Sequence, residues 1–455
     1  MPACSFLCAL FLLCNPTFSA DTEDNSENQK ANSSQINPGT ENPSDENEAE
    51  EAEEAEEAEE AEEAEEAEPT LFDSFIESLE YRGNLTLELT GFLATADHTA
   101  DQSFSSSVSG EVELFFPFST VDSSIVVTPF ARVDQHDSER SHFDFREFLY
   151  HRVGDNWEYR IGLGKIFWGV AESRNPVDII NQRDTVEGFT IDEKLGQPMI
   201  QFSWFEDLSS VDFFVLPGFR ERTFAGADGR PRATTLINSD DATYESTSEN
   251  QNIDFALRYS TAVEEWDLGF SAFHGTERNP LLRPVFGSSF SDISLTPFYY
   301  QVTQLGFDAQ ATLESWLLKL EWIYQRADAI ANHTELVTGF EYSFFGIADT
   351  DADLGIIAEY LHDNRGEEST QLFQNDLLVG FRLALNDEAS TEALLGGFID
   401  LDNDAVVVTL EANRRIGNAF KVSIEAVSYI NTADDATLNQ LRNEDYLQAE
   451  LAWFF

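Results

Sequence analysis

From Gly83 onward, apolar and polar residues alternate with a period of two. Leu85, Leu87, Leu89 and Leu93 are interleaved with Asn84, Thr86, Glu88 and Thr90. The pattern returns in Val108/Val112/Leu114/Phe116, Leu305/Phe307/Ala309/Ala311/Leu313, Leu318/Leu320/Trp322/Tyr324, Val406/Val408/Leu410/Ala412 and Phe420/Val422/Ile424/Ala426. Successive side chains of a strand point to opposite faces, so each segment has one apolar and one polar face. The segments run for about ten residues, as membrane-crossing strands do, whereas strands of soluble proteins average about five or six.

Eighteen candidate strands follow, from 82–94 to 444–455, including 156–168, 298–313 and 404–415. A merged or missed hairpin would make the total 16 or 20, as outer-membrane barrels of this kind have even numbers of strands. The links alternate in length. Long ones (169–197, 220–249, 276–297, 363–376 and 430–443) fall on one side, and tight turns such as Gly154-Asp155, Glu206-Asp207, Glu264 and Gly417 fall on the other. Short periplasmic turns and long external loops are the mark of an outer-membrane barrel. The fold expected is therefore all-β: a transmembrane antiparallel β-barrel over residues 81–455. The last strand alternates through Leu447, Ala449, Leu451, Trp453 and Phe455, and its terminal aromatic resembles the signal read by the barrel-assembly machinery.

What precedes the barrel is of a different kind. Residues 1–20 read as a signal peptide, with an apolar run from Phe6 to Cys14 and a small-residue exit at Thr17–Ala20, although no Lys or Arg stands before the run. Residues 21–68 carry 21 acids against the single Lys30 and end in seven Glu-Ala-Glu triplets. A period of three drifts around a helix and builds no apolar face, so this stretch is expected to be a disordered acidic tether. Residues 69–80, with Leu71, Phe72, Phe75, Ile76 and Leu79 at helical spacing, predict a short amphipathic helix.

Charge and chemistry narrow the function. The 455-residue chain has 85 acidic and 26 basic residues, which excludes nucleic acid as a partner and leaves the part beyond Pro69 acidic. All three cysteines (Cys4, Cys8, Cys14) precede residue 20, so removal of the signal leaves no thiol for disulfides, catalysis or zinc. No catalytic motif is present, and the seven histidines show no ligand spacing, so no enzyme activity, cofactor or metal is expected. Asp349-x-Asp351-x-Asp353 lacks the acid that completes a calcium loop and reads as a hairpin turn.

Gly164–Gly169, Asn175–Asn181 with Asp184, Lys194–Met199, Leu216–Arg220 and Leu383–Asp387 resemble an uncharacterised porin-like bacterial outer-membrane β-barrel family. That family is distantly similar to alginate-export-type outer-membrane proteins. The resemblance extends from about Phe72 to Phe455, and it implies fold and location without a substrate or site residues.

A barrel of 16 to 18 strands encloses water. The expected function is passive diffusion of small hydrophilic solutes across the outer membrane of a Gram-negative bacterium, with lipid and lipopolysaccharide around the wall and the oligomeric state left open. The rivals are a plugged structural or surface-anchoring barrel, with Leu71–Leu79 as the suspected plug, and an outer-membrane enzyme. The third external loop carries Val177, Ile179, Ile180, Phe189 and Ile191, which should pack either inside the lumen, forming a constriction, or over the mouth or in a subunit contact. Asp178 and Asp184 are its candidate acids; Arg220 and Arg222, with Arg230 and Arg232 of the same fourth loop, either line the constriction opposite them, which would favour anions, or pair with external acids. The inward faces carry Glu111, Glu113, Asp254, Asp308, Glu321, Glu341, Glu359, Glu411 and Glu425 against Arg132, Arg258, Lys319, Arg382, Arg415 and Lys421. Weak cation selectivity is expected from that balance.

Overall fold

The structure, a computed structural model, describes residues 78–98, 102–118, 122–188, 193–287 and 293–455. The signal peptide, the acidic tether, residues 69–77 of the expected amphipathic helix, and Phe189 and Ile191 of the third loop lie outside the described residues. Among the described residues no helix is long and apolar enough to cross a membrane.

One antiparallel sheet of 18 strands carries the chain. Its first half comprises β1 (Glu80–Phe92), β2 (Phe104–Phe118), β3 (Ser123–Asp134), β4 (Phe143–Val153), β5 (Trp157–Gly164), β6 (Gln197–Glu206), β7 (Ser209–Pro217), β8 (Ile253–Val263) and β9 (Trp266–Thr276). The second half comprises β10 (Gln301–Leu313), β11 (Trp316–Ala327), β12 (His333–Phe344), β13 (Asp353–Asp363), β14 (Asn375–Ala384), β15 (Glu392–Asp400), β16 (Val406–Ile416), β17 (Phe420–Ile430) and β18 (Tyr446–Phe454). Each strand pairs with its neighbour in sequence, and β1 pairs with β18, which closes the barrel and leaves no free edge.

The terminal residue finishes the seam. Gly83 and Phe455 exchange two backbone hydrogen bonds, of 2.9 and 3.0 Å. A Cβ on Gly83 would lie 2.8 Å from the Phe455 ring, so glycine lets the aromatic lie over the backbone of β1. Deleting Phe455 is expected to reduce the fraction of heat-modifiable barrel recovered from cells, and Trp453→Asp, on the outer face of the same strand, is expected to reduce it further. Recovery of both variants at the unaltered level would show that the seam does not need its last residues.

The outer face of the wall is apolar: Leu85, Leu87 and Leu89 on β1, Phe143, Phe145 and Phe148 on β4, and Phe255 and Leu257 on β8 are all exposed. Trp157, Trp204, Trp266, Trp316 and Trp453 all sit at the short-turn ends of their strands. Trp157 stacks on Tyr159, and Trp316 packs against Tyr342 with ring centroids 4.7 Å apart. Such a girdle is where amphipathic rings lie at a membrane–water boundary. The short turns use Asp207, Glu264 and Glu314 at φ between 50° and 55°, the left-handed geometry that matches the twist of tight hairpins. The acidic turn before β13 behaves as a turn: the Gly346 N–H donates to Asp353 at 2.9 Å, and Asn386 donates to the same carboxylate.

Three details differ from the sequence pattern. The strand expected over 156–168 stops at Gly164, because the Ile166 N–H donates to the side chain of Asn181 instead of to a neighbouring strand. The strand expected from 298 begins at Gln301. Phe298 and Tyr299 instead belong to a small sheet outside the wall, formed by Thr243–Tyr244, Leu281–Phe286 and Ile293–Tyr299. The inner face is also less polar than the alternation suggests. Phe214, Leu216, Phe273, Ile323, Val337, Ile357, Leu378 and Val427 are inward and buried, so something must cover them.

Candidate functional site in the barrel lumen

Long loops cover those residues. The third long loop leaves β5 after Gly164 and rejoins the wall at Gln197. Asn181 ties its neck, accepting from Ile166 N–H at 2.8 Å and donating to the Gly164 and Leu195 carbonyls, both at 2.9 Å. Gly169 sits at φ +128°, and a Cβ there would lie 2.2 Å from the Asn175 amide oxygen, so the bend that starts the descent needs glycine. Val177, Ile179 and Ile180 are at most 4% exposed. They pack with Trp168 of the loop and with Phe214, Leu216, Phe273 and Ile323 of the inner wall. Each such side chain stabilises the inward position by about 1.5–3 kcal/mol relative to solvent.

The loop reaches strands remote from its roots. The backbone N–H groups of Val170 and Ala171 donate to one oxygen of Glu321 on β11, at 2.6 and 2.8 Å. Those of Glu172 and Ser173 donate to Glu359 on β13 at 2.9 and 2.8 Å, and the Ser173 hydroxyl adds a bond of 2.6 Å. Two wall carboxylates therefore satisfy four successive loop amides, which would otherwise be buried without acceptors. Arg174 continues the contact with an ion pair to Glu335 on β12 at 3.2 Å. At the tip, Glu172 meets Arg382 on β14 at 2.7 Å, and Arg382 also reaches Glu341 at 3.2 Å.

The residues expected to form the constriction are all placed at this loop or beside it, largely as fasteners. Asp178 accepts from Lys194 of the loop's returning arm, and from the Trp168 N–H at 3.3 Å. Asp184 is 1% exposed and is held by Arg146 of β4 at 2.5 Å and by the Thr223 hydroxyl at 2.7 Å. Arg220 pairs with Asp144, also on β4, at 2.9 Å. Arg222 donates to Gln182 and Asn279 at 3.2 and 2.8 Å, and its backbone N–H donates to the Tyr299 hydroxyl. Glu172 and Arg174 were not singled out in the sequence, and no local signal marks them, because their partners lie about 150 to 210 residues along the chain.

A second layer lies over the long-loop mouth. Arg230 of the fourth loop is buried beneath Phe92, with its guanidinium 4.0 Å from the ring centroid. It pairs with Glu444 at 3.0 Å and donates to the Gln102, Ala94 and Asn443 carbonyls, joining the first, fourth and last long loops. The Gly226 N–H donates to Asp137, and the Thr234 N–H to the Gln440 carbonyl. Burial, partly offset by Arg230, holds the Glu444 carboxyl above its ordinary range. Burial and the neighbouring Arg232 hold the His98 imidazole below its own. Beneath this layer Leu438 and Leu441 insert among Val407, Val427, Tyr429 and Tyr446, and Phe373 stacks on Phe398 with centroids 4.1 Å apart.

Toward the short turns the inner wall opens. Glu111, Glu113, Glu341, Glu411, Glu425 and Glu450 are only partly covered there, alongside Arg382 and Lys421. Glu411 stands directly opposite Glu425 across β16 and β17, and Glu88 opposite Glu450 across β1 and β18. Like charges in register destabilise a sheet. Arg132 and Arg140, which pair with Glu88, and Arg382 and Lys421 on the same inner wall offset part of that charge.

No family model and no curated protein matches the chain. Solved structures do share the barrel. Wzi of Escherichia coli, described as an outer-membrane protein involved in group 1 capsule assembly and a carbohydrate-binding β-barrel, aligns over 83% of this chain and 85% of its own. Its TM-score is 0.50, at 9% identity. OprB of Pseudomonas putida aligns over 85% of this chain and 96% of its own, with a TM-score of 0.43 at 9% identity. A mutant porin of Rh. blastica aligns over 83% of this chain and 100% of its own, with a TM-score of 0.40 at 10% identity. At such identities the likeness to Wzi establishes the barrel fold alone.

Proposed function

We propose that this chain is an outer-membrane channel of porin type for small hydrophilic solutes, with its short turns in the periplasm and its passage narrowed by the third loop. The observation that carries the reading is the docking of Val170–Ser173 on Glu321 and Glu359. A loop fastened across a water-filled barrel leaves an eyelet between its tip and the uncovered wall, here between Glu172 and the strands β15 to β18. The carboxylates of that wall favour cations. They also disfavour a polyanion such as alginate, so the distant resemblance to alginate-export-type barrels is carried no further than fold. A signal peptide at residues 1–20, assembly through Leu447, Leu451, Trp453 and Phe455, contact with lipopolysaccharide and the absence of catalysis belong to the same proposal.

A second reading draws on the covered mouth: the barrel is closed and its external surface serves for binding, with carbohydrate as the ligand because Wzi is described as a carbohydrate-binding β-barrel. The packing of Leu438, Leu441 and Phe373 beneath the long loops favours it. Liposome swelling with sugars of increasing size separates the two. A channel admits monosaccharides and excludes larger oligomers, whereas a closed barrel admits none and retains glycan binding.

A further inference from the structure

His142, Asp184 and Glu187 converge where the returning arm of the third loop meets the wall. We propose that these three side chains form a site for a divalent transition ion, with Zn²⁺ as the probe, which staples the loop to the base of β4.

The imidazole is oriented for this. Its Nδ1 lies 3.1 Å from the Arg140 carbonyl oxygen, which can only accept. In the neutral ring Nδ1 therefore carries the hydrogen, and Nε2 presents a lone pair. This is how a ligating histidine is normally held, its second nitrogen donating to a carbonyl. Nε2 is buried and has no hydrogen-bond partner. What it faces is another acceptor, the Glu187 carboxylate, 3.6 Å away. One atom from each of the three residues lies within 4.8 Å of the other two. Arg132 donates to Glu187 and Arg146 to Asp184, but no donor reaches the imidazole Nε2, and a lone pair that converges with two carboxylates is completed by a cation.

The surrounding charges leave room for one. Arg132 pairs with Glu187 and Glu88, Arg146 with Asp184, Asp144 and Glu187, Arg140 with Glu88 and Asp134, and Arg220 with Asp144. Five carboxylates thus meet four guanidinium groups, and one negative charge is left over. The guanidiniums approach from the wall and leave acceptor capacity on both ligands: the Asp184 Oδ1 atom takes only the Thr223 hydroxyl. One imidazole with two carboxylates suits zinc and its neighbours better than calcium or magnesium, which take oxygen ligands throughout. His142 is anchored on the wall side by exchanging backbone hydrogen bonds with Arg132, of 2.9 and 3.1 Å, while Asp184 and Glu187 belong to the loop. A bound ion therefore cross-links the two.

The test is metal titration of the full chain in detergent, by competition with a chromophoric chelator, in parallel with His142→Gln. One Zn²⁺ per chain is expected, weakened at least about tenfold in the variant, whereas weak Ca²⁺ binding by the acidic tract is the same in both. Zinc binding that His142→Gln leaves unchanged would overturn the site, as would the lack of any stoichiometric binding. Zinc-edge X-ray absorption on the unsubstituted, loaded protein gives an answer independent of the variant's folding. A shell of one imidazole nitrogen with oxygens supports the site, and oxygens alone refute it.

Discussion

Replacing Glu321 and Glu359 together with alanine is expected to raise single-channel conductance at least about twofold and to make the current noisier, while the barrel stays heat-modifiable. The two carboxylates accept from the amides of residues 170–173 and from the Ser173 hydroxyl. Hydrogen bonds to charged groups contribute about 1.5–3 kcal/mol each, so losing the set outweighs any single remaining contact of the tip. Arg174 with Glu335 and the Phe373 carbonyl, and Glu172 with Arg382 and Lys319, would then hold the tip. The neck at Asn181 and the apolar packing of Val177 and Ile180 are untouched, so the loop root stays in place while its tip leaves the eyelet. A folded double variant with unaltered conductance would show that the tip does not border the passage.

Arg230→Ala should act on the outer layer instead. It removes one guanidinium that joins three loops and leaves buried Glu444 with His98, at 3.9 Å, as its nearest remaining base. Breaking a buried pair from one side costs about 3–5 kcal/mol, more than a loop crossing of this size recovers elsewhere. The expected result is rapid proteolytic cleavage within 223–236 in the variant and resistance in the unsubstituted protein, with the wall intact in both. Equal resistance would mean that Thr234, Gly226 and the apolar inserts suffice to hold the layer.

The wall was legible in the sequence because a membrane barrel repeats one rule, apolar outside and polar inside, over every strand. Leu85–Leu89 and Leu447–Phe455 show it without any tertiary knowledge. Where the rule breaks, the sequence was already signalling covered wall. Phe213-Phe214-Val215-Leu216 and Leu377-Leu378-Val379 are apolar on both faces, and their inner members lie under the third loop or beside Ile357 and Leu361. The descent of the third loop was readable from Val177, Ile179 and Ile180. Its contacts were not. Asp178 and Asp184 were expected opposite arginines of the fourth loop, yet Lys194 and Arg146 hold them, because the returning arm of the loop brings Lys194 closer and the adjoining β4 brings Arg146. Glu321 and Glu359 were identifiable as inward by alternation, but their role depends on backbone amides, which carry no sequence signature.

The central claim is an acid-lined passage beside a docked loop, and ion selectivity in planar bilayers tests it most directly. In a potassium chloride gradient the full chain is expected to give discrete steps whose reversal potential lies toward that of potassium. The triple substitution Glu411→Gln, Glu425→Gln and Glu450→Gln should move the reversal potential toward zero and leave the steps in place. Steps that reverse toward chloride would contradict the acid-lined passage, and a properly folded barrel that passes no current would contradict the channel itself.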